Sequence, residues 1–489
     1  MAKSPLGLPA DTTIIRSPKV TVKVERWDWD SEKYKDTLDI TQAVLNYNWT
    51  NSIKSPSGGA TITILPQNST DHFLDDIQVL DVVKIYEFGA LKWLGYIRKI
   101  GASGYIEQSG EPRRTVVFQC TSFGGYLLET VISVNSQVLR NDAGFQSVAE
   151  KLANDLSRAG NDGLTYNEAV TELINAWFVY LRDAVGSDVQ AKYIGRYVDF
   201  TTGMTQSESP GYPRELYLFY GNEDELNLWS IIEKLAEAPL NEFFFDVGGK
   251  TVSVHSNGKG IRLPEEKAYL IGRPTPFDGT VTVSSGVVSP PQDRFRVMKP
   301  VTLPQQYLTR YDLNKSMDEV FSLYVTAPAT YDMSLLEILA DGRHVIDELA
   351  YKKYLYKLCN KPLYYVIGLD HEKGSESTKA KKMYDRAQAV SDTFYNWYRH
   401  NDKYLSGTIS YMVPERPQND PRIGYKMEIE GIVGSLYVEG ISHSWTYEKA
   451  LSGIATVTRG WNVNQPMKLS NRIFKRPKAA FWDLDMRSV

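Results

Sequence analysis

Short segments of strict apolar–polar alternation near both ends of this chain constrain its fold more than any other feature. Val20, Val22 and Val24 oppose Thr21, Lys23 and Glu25; Ala60, Ile62 and Ile64 oppose Thr61 and Thr63 and stop at Pro66; Val116, Phe118 and Cys120 share one face of Thr115–Thr121. A period of two is that of a strand with one face buried. Two more strands are predicted over Asp81–Glu87 and Trp93–Ile100, joined by the turn Phe88-Gly89-Ala90, while Asn51, Ser57, Gly58 and Gly59 mark the turn-rich stretch before Ala60. Strands at this spacing with Gly-rich turns predict an antiparallel sandwich or small barrel. The alternation returns over Gly407–Val413, in Tyr425, Met427 and Ile429 against Lys426, Glu428 and Glu430, and over Leu436–Trp445 and Ala455–Arg459.

Between these regions the period changes. Phe145, Val148, Ala149, Leu152 and Leu156 fall at helical spacing behind a capping Asp142, as do Ala169, Leu173, Trp177 and Tyr180 within Tyr166–Leu181. A third helix is predicted over Glu225–Leu235, broken by Pro239. The Gly248-Gly249 pair predicts a hairpin of Phe243–Val247 with Thr251–His255. Pro264–Pro304, rich in Pro, Gly, Ser and Val, fits strands and loops. Helices resume over His344–Leu358 and Ser377–His400, where Met383, Ala387, Val390, Phe394 and Trp397 recur every three or four residues. The order is thus β, α, β, α, β. There is no short internal repeat, but the two β regions can be two copies of one barrel. A length of 489 residues suits two to four domains of roughly 100–200 residues each.

Composition excludes several functions. A net charge of −4 gives no concentrated Lys/Arg footprint for wrapping nucleic acid. No apolar run approaches the roughly 20 residues that span a bilayer, and Met1–Pro18 lacks the apolar core of a signal peptide. Cys120 and Cys359, the two cysteines, read as buried thiols in a reducing cytoplasm. Abundant Tyr (31 residues against 17 Phe and 10 Trp) suits wide contact surfaces.

Catalytic and metal signatures are missing too. The six histidines (His72, His255, His344, His371, His400, His443) are scattered, and none pairs with another at a zinc-ligand interval. Asp28, Asp30 and Glu32 are similar to the start of a calcium loop, but Lys33 stands where that loop needs Gly. No nucleophile elbow occurs; Cys120 with His443 is the remaining pair to weigh, and a lone strand histidine is more often a satisfied structural residue. Gly248-Gly249 and Gly431 with Gly434 do not make a phosphate loop. No cofactor is expected, while convergent carboxylates for glycoside hydrolysis stay open among 59 acidic residues. Asn48, Asn68 and Asn314 begin weak Asn-x-Ser/Thr matches.

Three segments together resemble the hub proteins of phage-type tails and baseplates. They are Leu80–Glu87 followed by Trp93–Ile100, similar to the first hub barrel; Trp229–Leu235 leading into Pro239–Val247, similar to a helix entering an edge hairpin; and Gly440–Trp445 followed by Thr456–Gly460, similar to the closing strands of the second barrel. The matching order spans most of Val20–Trp461. The helical insert at Phe145–Leu181 departs from the family, and this sequence carries no recognisable peptidase or lysozyme domain after the hub segments.

The resemblance implies an α+β fold of two tail-tube-like antiparallel β-barrel domains with helical insertions. It divides the chain into an N-terminal arm (1–19), a first barrel (20–135), a mainly helical insert (136–240), a β-rich part of the second barrel (241–340), a helical segment (341–403), closing strands (404–461) and a docking tail (462–489). It implies a non-enzymatic homotrimer in the virion tail baseplate, made in the host bacterial cytoplasm. Its partners would be the tail tube protein, the central spike protein and surrounding baseplate proteins, with DNA only in transit and no membrane insertion. Candidate interface residues are Phe88, Phe243 and Phe245, with Arg472, Phe474, Lys475, Arg476 and Trp482 in the tail. That basic, aromatic tail also fits an RNA-binding segment. The rivals are a carbohydrate-binding β-protein or glycoside hydrolase presenting Trp27, Trp29 and Trp93, and the distal hub of a non-contractile tail.

Overall fold

The computed structural model describes residues 19–65, 76–106, 112–129, 131–133, 174, 186–200, 225–236, 241–247, 252–253, 260–261, 266–274, 301–328, 344–363, 375, 391–392, 394–395, 397–399, 401–429, 436–447 and 449–459. Strands account for 54% of the described structure and helices for little of it, which fits an α+β or mainly β fold. The predicted helices over 145–156 and 166–181 lie outside the described residues, apart from Ile174.

The alternating segments become β1 (Val20–Asp28), β2 (Lys33–Asp39), β3 (Val44–Ser52), β4 (Gly59–Ile64), β5 (Val82–Glu87), β6 (Ala90–Ile106) and β7 (Pro112–Ser122). They pair antiparallel in the order β3-β4-β7-β6-β5-β1-β2. Val22, Val24, Ile62, Ile64, Val83 and Ile85 are fully buried in one core, and burying each such side chain is worth about 1.5–3 kcal/mol. The Phe88-Gly89 turn is tighter than expected, because Ala90 already pairs with Glu87. Phe88 and Gly89 both take left-handed backbone, at φ 51° and 81°, as a two-residue hairpin turn with the twist of its strands requires.

β5 is buried on both faces, which is why it shows no clean alternation. Val83 and Ile85 enter the main core. Val82 faces a second cluster with Trp27, Leu94 and Tyr96, covered by α1 (Gly125–Glu129), α2 (Val189–Tyr197) and α3 (Leu228–Ala236) through Leu127, Tyr193, Tyr197, Trp229 and Ile232.

A second unit has the same strand order. Leu308–Asn314 pairs with Ser406–Met412, that with Ser452–Thr458, that with Leu436–Thr446, and that with Lys426–Ile429. This path matches β3-β4-β7-β6-β5 strand for strand. The match extends to irregularities: a bulge after Val44 in β3 corresponds to one after Leu308, and a bulge after Ile97 in β6 to one after Val438. A 3-10 turn precedes the first strand in both, at Thr41–Ala43 and Gln305–Tyr307. Two copies of one β unit are therefore present. They differ at the outer edge, where Val301–Leu303 pairs parallel with Lys426–Ile429, while β1 runs antiparallel to β5. The pairing path is open in both units, so barrel closure is not among the contacts described.

Two expectations need correction. Phe243–Val247 does not form a hairpin with Thr251–His255: the strand Asn241–Val247 pairs with Ala268–Pro274, which also pairs with Val198–Asp199, as a separate three-stranded sheet. A glycine turn specifies a local bend, but the buried Phe243, Phe244 and Phe245 require an apolar partner such as Leu270 and Ile271. Among the described residues of 241–340, Val301–Leu303 and Leu308–Asn314 join the large sheet. His344–Leu358 is likewise not one helix. A strand, His344–Ile346, precedes α4 (Glu348–Tyr354), capped by Asp347 Oδ1 accepting from Ala350 N at 2.8 Å, and another strand, Leu358–Leu363, follows. Of Ser377–His400, the described Phe394 and Tyr398 are buried against Tyr324 and Cys359.

β6 and β7 cross closely at Gly95, where an added Cβ would lie 2.3 Å from the Thr121 carbonyl oxygen. Gly95→Ala should cost about 1–3 kcal/mol by overpacking, read as a lower urea midpoint; an unchanged midpoint would refute the tight crossing.

Candidate functional site

The two β units meet along one seam. β3 pairs antiparallel with Leu436–Thr446 from Asn46↔Thr446 to Ser52↔Gly440, with Trp49 opposite His443. The pairing makes a single 13-stranded sheet from two units that each lack a partner on that edge. Ile53 N–H donates to the Glu439 carbonyl at 2.9 Å and Lys54 pairs with its carboxylate at 2.8 Å, closing the seam's end.

Beneath the seam lies a buried polar network drawn from both units. Glu87, at the end of β5, and His443 are each 0% exposed. Glu87 Oε1 accepts from Trp49 Nε1 at 2.8 Å and from the Tyr47 hydroxyl at 3.0 Å, and its Oε2 lies 2.6 Å from His443 Nδ1. On the other side of the imidazole, Nε2 stands 2.9 Å from the Tyr411 hydroxyl and 3.7 Å from Asp420 Oδ1. Lys92, on β6, pairs with Asp420. Unit one thus supplies Tyr47, Trp49, Glu87 and Lys92, and unit two Tyr411, Asp420 and His443.

Burial by itself raises the Glu87 carboxyl, but His443, Lys92 and the Trp49 N–H together overcome it and hold the group below its ordinary value. Burial foremost, then the Glu87 charge, pushes the Tyr47 hydroxyl well up, so it remains a donor. A buried carboxylate with this many partners is a structural pin.

The separate sheet clamps the seam from outside. Asn51 Nδ2 donates to the Phe245 carbonyl at 3.1 Å, Arg422 pairs with Asp246, and the Tyr437 hydroxyl donates to Glu242 at 2.6–2.7 Å. Lys84, buried on β5, bridges Glu25 at 2.6 Å and Glu266 at 3.0 Å. One strand of the insert therefore touches both units.

The expected interface residues fall in different places. Phe88 is half-buried against the main core and lines a cleft with Trp49, Lys92, Asp246 and Arg422. Phe243 and Phe245, expected from their positions to be exposed, are instead 4% and 3% exposed and packed in the second cluster. Arg472, Phe474, Lys475, Arg476 and Trp482 lie outside the described residues. Of the tryptophans considered for sugar binding, Trp93 and Trp27 are buried in different clusters. Cys120 and Cys359 are buried free thiols. Among the described residues no group of His, Cys, Asp and Glu could hold a metal ion, and no helix is long and apolar enough to cross a membrane. Asp28, from the calcium-like run, instead accepts from the Asp30 and Ser31 amides, while Glu32 binds Ser187 and Lys192.

Neither a family model nor a curated protein matches the chain. Among solved structures it is similar to a tail protein from Neisseria meningitidis MC58, at 12% identity and TM-score 0.46, over 91% of this chain and 97% of that one. It is also similar to the 43 kDa tail protein of prophage MuSo2 from Shewanella oneidensis, at 11% identity and TM-score 0.45, over 90% and 98%. A third likeness is to the phage P2 baseplate in its activated conformation, at 7% identity and TM-score 0.32, over 91% and 100%.

Because the Glu87 carboxyl is depressed, its contribution to stability is present above its ordinary value of 4.5 and disappears as pH falls through the lower folded value. Glu87→Gln should cost roughly 3–5 kcal/mol at neutral pH, the scale for breaking a buried pair. It should also flatten the acid limb of stability as pH falls below 4.5, measured by urea unfolding. Parallel curves for the two proteins would remove Glu87 as the pin.

Proposed function

We propose that this chain is the structural hub of a phage-type tail baseplate, a homotrimer whose paired β units build a pseudo-sixfold ring. The ring joins a hexameric tail tube to a trimeric central spike, lines the exit channel, and anchors the surrounding baseplate proteins. Each unit would complete a tube-like barrel, the first within 20–135 and the second closed by 404–461. DNA passes through without being held, and the chain acts by contact rather than catalysis.

The observation that carries this proposal is the duplication of a β unit within one chain, with strand order and both bulges retained. A chain with two copies of one subunit-like fold presents sixfold-like surfaces from three identical molecules, which lets a sixfold partner meet a threefold one. The buried seam supports it further, since a hub must transmit load between its halves without slipping register. The sugar-binding alternative is disfavoured by the burial of Trp93 and Trp27.

Light scattering on the purified protein, alone and with its neighbouring spike protein, tests the proposal. The expected mass is three times that of the 55.4 kDa chain, by itself or in the complex. A monomer under both conditions would refute the hub and direct attention to glycan binding.

A further inference from the structure

The seam inside the chain is a template for a contact between chains. Pairing register equates the two units residue by residue: the bulge residue Leu45 corresponds to Thr309, and the bulge residue Arg98 to Glu439. From these anchors β3 maps onto Leu308–Asn314, and β6 beyond Tyr96 maps onto Leu436–Thr446 beyond Tyr437. The tyrosines Tyr96 and Tyr437 sit opposite Thr121 and Thr458 in their units, so the correspondence holds in the sequence as well as in the pairing.

In the chain, unit one offers the outer edge of β3 and unit two the edge of Leu436–Thr446, and the two pair. Each edge has a counterpart in the other unit. The counterpart of β3, Leu308–Asn314, pairs only with Ser406–Met412 among the described residues. The counterpart of Leu436–Thr446 is the far half of β6: among the described residues, β5 accompanies β6 as far as Tyr96, and Arg98–Ile106 then pairs with β7 alone. Both are open edges, and open edges of this length invite another strand. The middle of the far half of β6 runs Gly101-Ala102-Ser103-Gly104, four residues with no proline or bulky side chain to keep a strand away. Ala102, Gly104, Arg310, Asp312 and Asn314 are exposed.

We infer that Leu308–Asn314 of one chain pairs antiparallel with the far half of β6 of a second copy, in the register of the internal seam. Carrying Asn51↔Ile441, Thr50↔Ser442 and Trp49↔His443 across the correspondence places Lys315 opposite Ile100, Asn314 opposite Gly101, and Leu313 opposite Ala102. Each chain then has one edge to give and one to receive. Repeating a head-to-tail contact that mimics the internal one makes internal and external seams alternate around a ring. This inference rests on the proposed ring and specifies its interface.

Disulfide trapping in the full-length protein tests the register. Directly opposed residues of an antiparallel pair have Cα atoms about 4.5–5.5 Å apart, within the span a disulfide bridges. Ala102→Cys protein mixed with Leu313→Cys protein should form a disulfide-linked dimer under mild oxidation. Gly101→Cys mixed with Leu313→Cys should not, because adjacent strand residues point to opposite faces. A threefold mass without the Ala102–Leu313 link, or with equal linking by the shifted pair, would overturn this interface and leave the hub proposal standing. A monomer at every concentration, with and without the spike protein, would overturn both. Should either variant fold poorly, amide exchange on the unaltered assembly decides: protection of alternate amides over Arg310–Asn314 and Lys99–Gly104 supports the pairing, and rapid exchange of both segments refutes it.

Discussion

The pairing of β3 with Leu436–Thr446 is the contact on which the architecture depends. Among the described residues it is the strand contact joining the two β units, and every other link across the junction is set by its register. A slip of one residue would send Trp49 and His443 to opposite faces, since side chains alternate along a strand. Glu87 would then keep Tyr47 and Trp49, which belong to its own unit, and lose His443, the partner that the second unit supplies. Stranding a buried carboxylate costs several kcal/mol, so the network penalises every register but one.

An apolar seam would hold the units together about as strongly, because desolvating a carboxylate and its partners offsets most of what their attraction returns. It would not discriminate registers equally well. Valine against isoleucine tolerates a shifted neighbour, whereas Glu87, held by Tyr47 and Trp49 of its own unit, needs the His443 imidazole of the other unit at 2.6 Å. The clamp by Asn241–Val247 adds the same discrimination from the other side, through Asn51 to a backbone carbonyl and Tyr437 to Glu242. For a protein proposed to carry mechanical load along its sheets, register fidelity is the property that matters.

Sequence made the strands legible wherever one face is buried and the other wet. Val20, Val22 and Val24, the run Ala60, Ile62 and Ile64, and Val116, Phe118 and Cys120 all point into the main core. It was less informative where a strand is covered on both faces. β5 and Asn241–Val247 lack alternation because helices or a second sheet cover what would have been their polar side, and the partner of Phe243–Val247 cannot be found from a glycine turn. His443 reads correctly as a satisfied strand histidine, but Glu87 lies 356 positions away, beyond any motif. The duplication was visible only as two regions of the same period. Its proof lies in the bulges after Ile97 and Val438, which no composition or spacing announces, because a bulge is a pairing property and needs the partner strand.

The duplication also explains where the inserts went. The connection from β3 to β4 is a short turn through Pro56 and Gly58, whose counterpart, between Asn314 and Ser406, carries α4 and the sheet of Leu323–Pro328, His344–Ile346 and Leu358–Leu363. Asn314 and Ser406 nonetheless remain directly paired. An insert whose two ends leave and re-enter at neighbouring positions adds mass at one end of a hairpin without altering the ladder beneath, and lengthening such a loop costs little, about 0.6 kcal/mol per doubling. Elsewhere the hairpins are short: two residues join β5 to β6, and the described strands Leu436–Thr446 and Ser452–Thr458 are separated by five. The two units thus differ in this loop and at the outer edge, while the pairing register at the bulges, which sets how one unit meets the next, is the same in both.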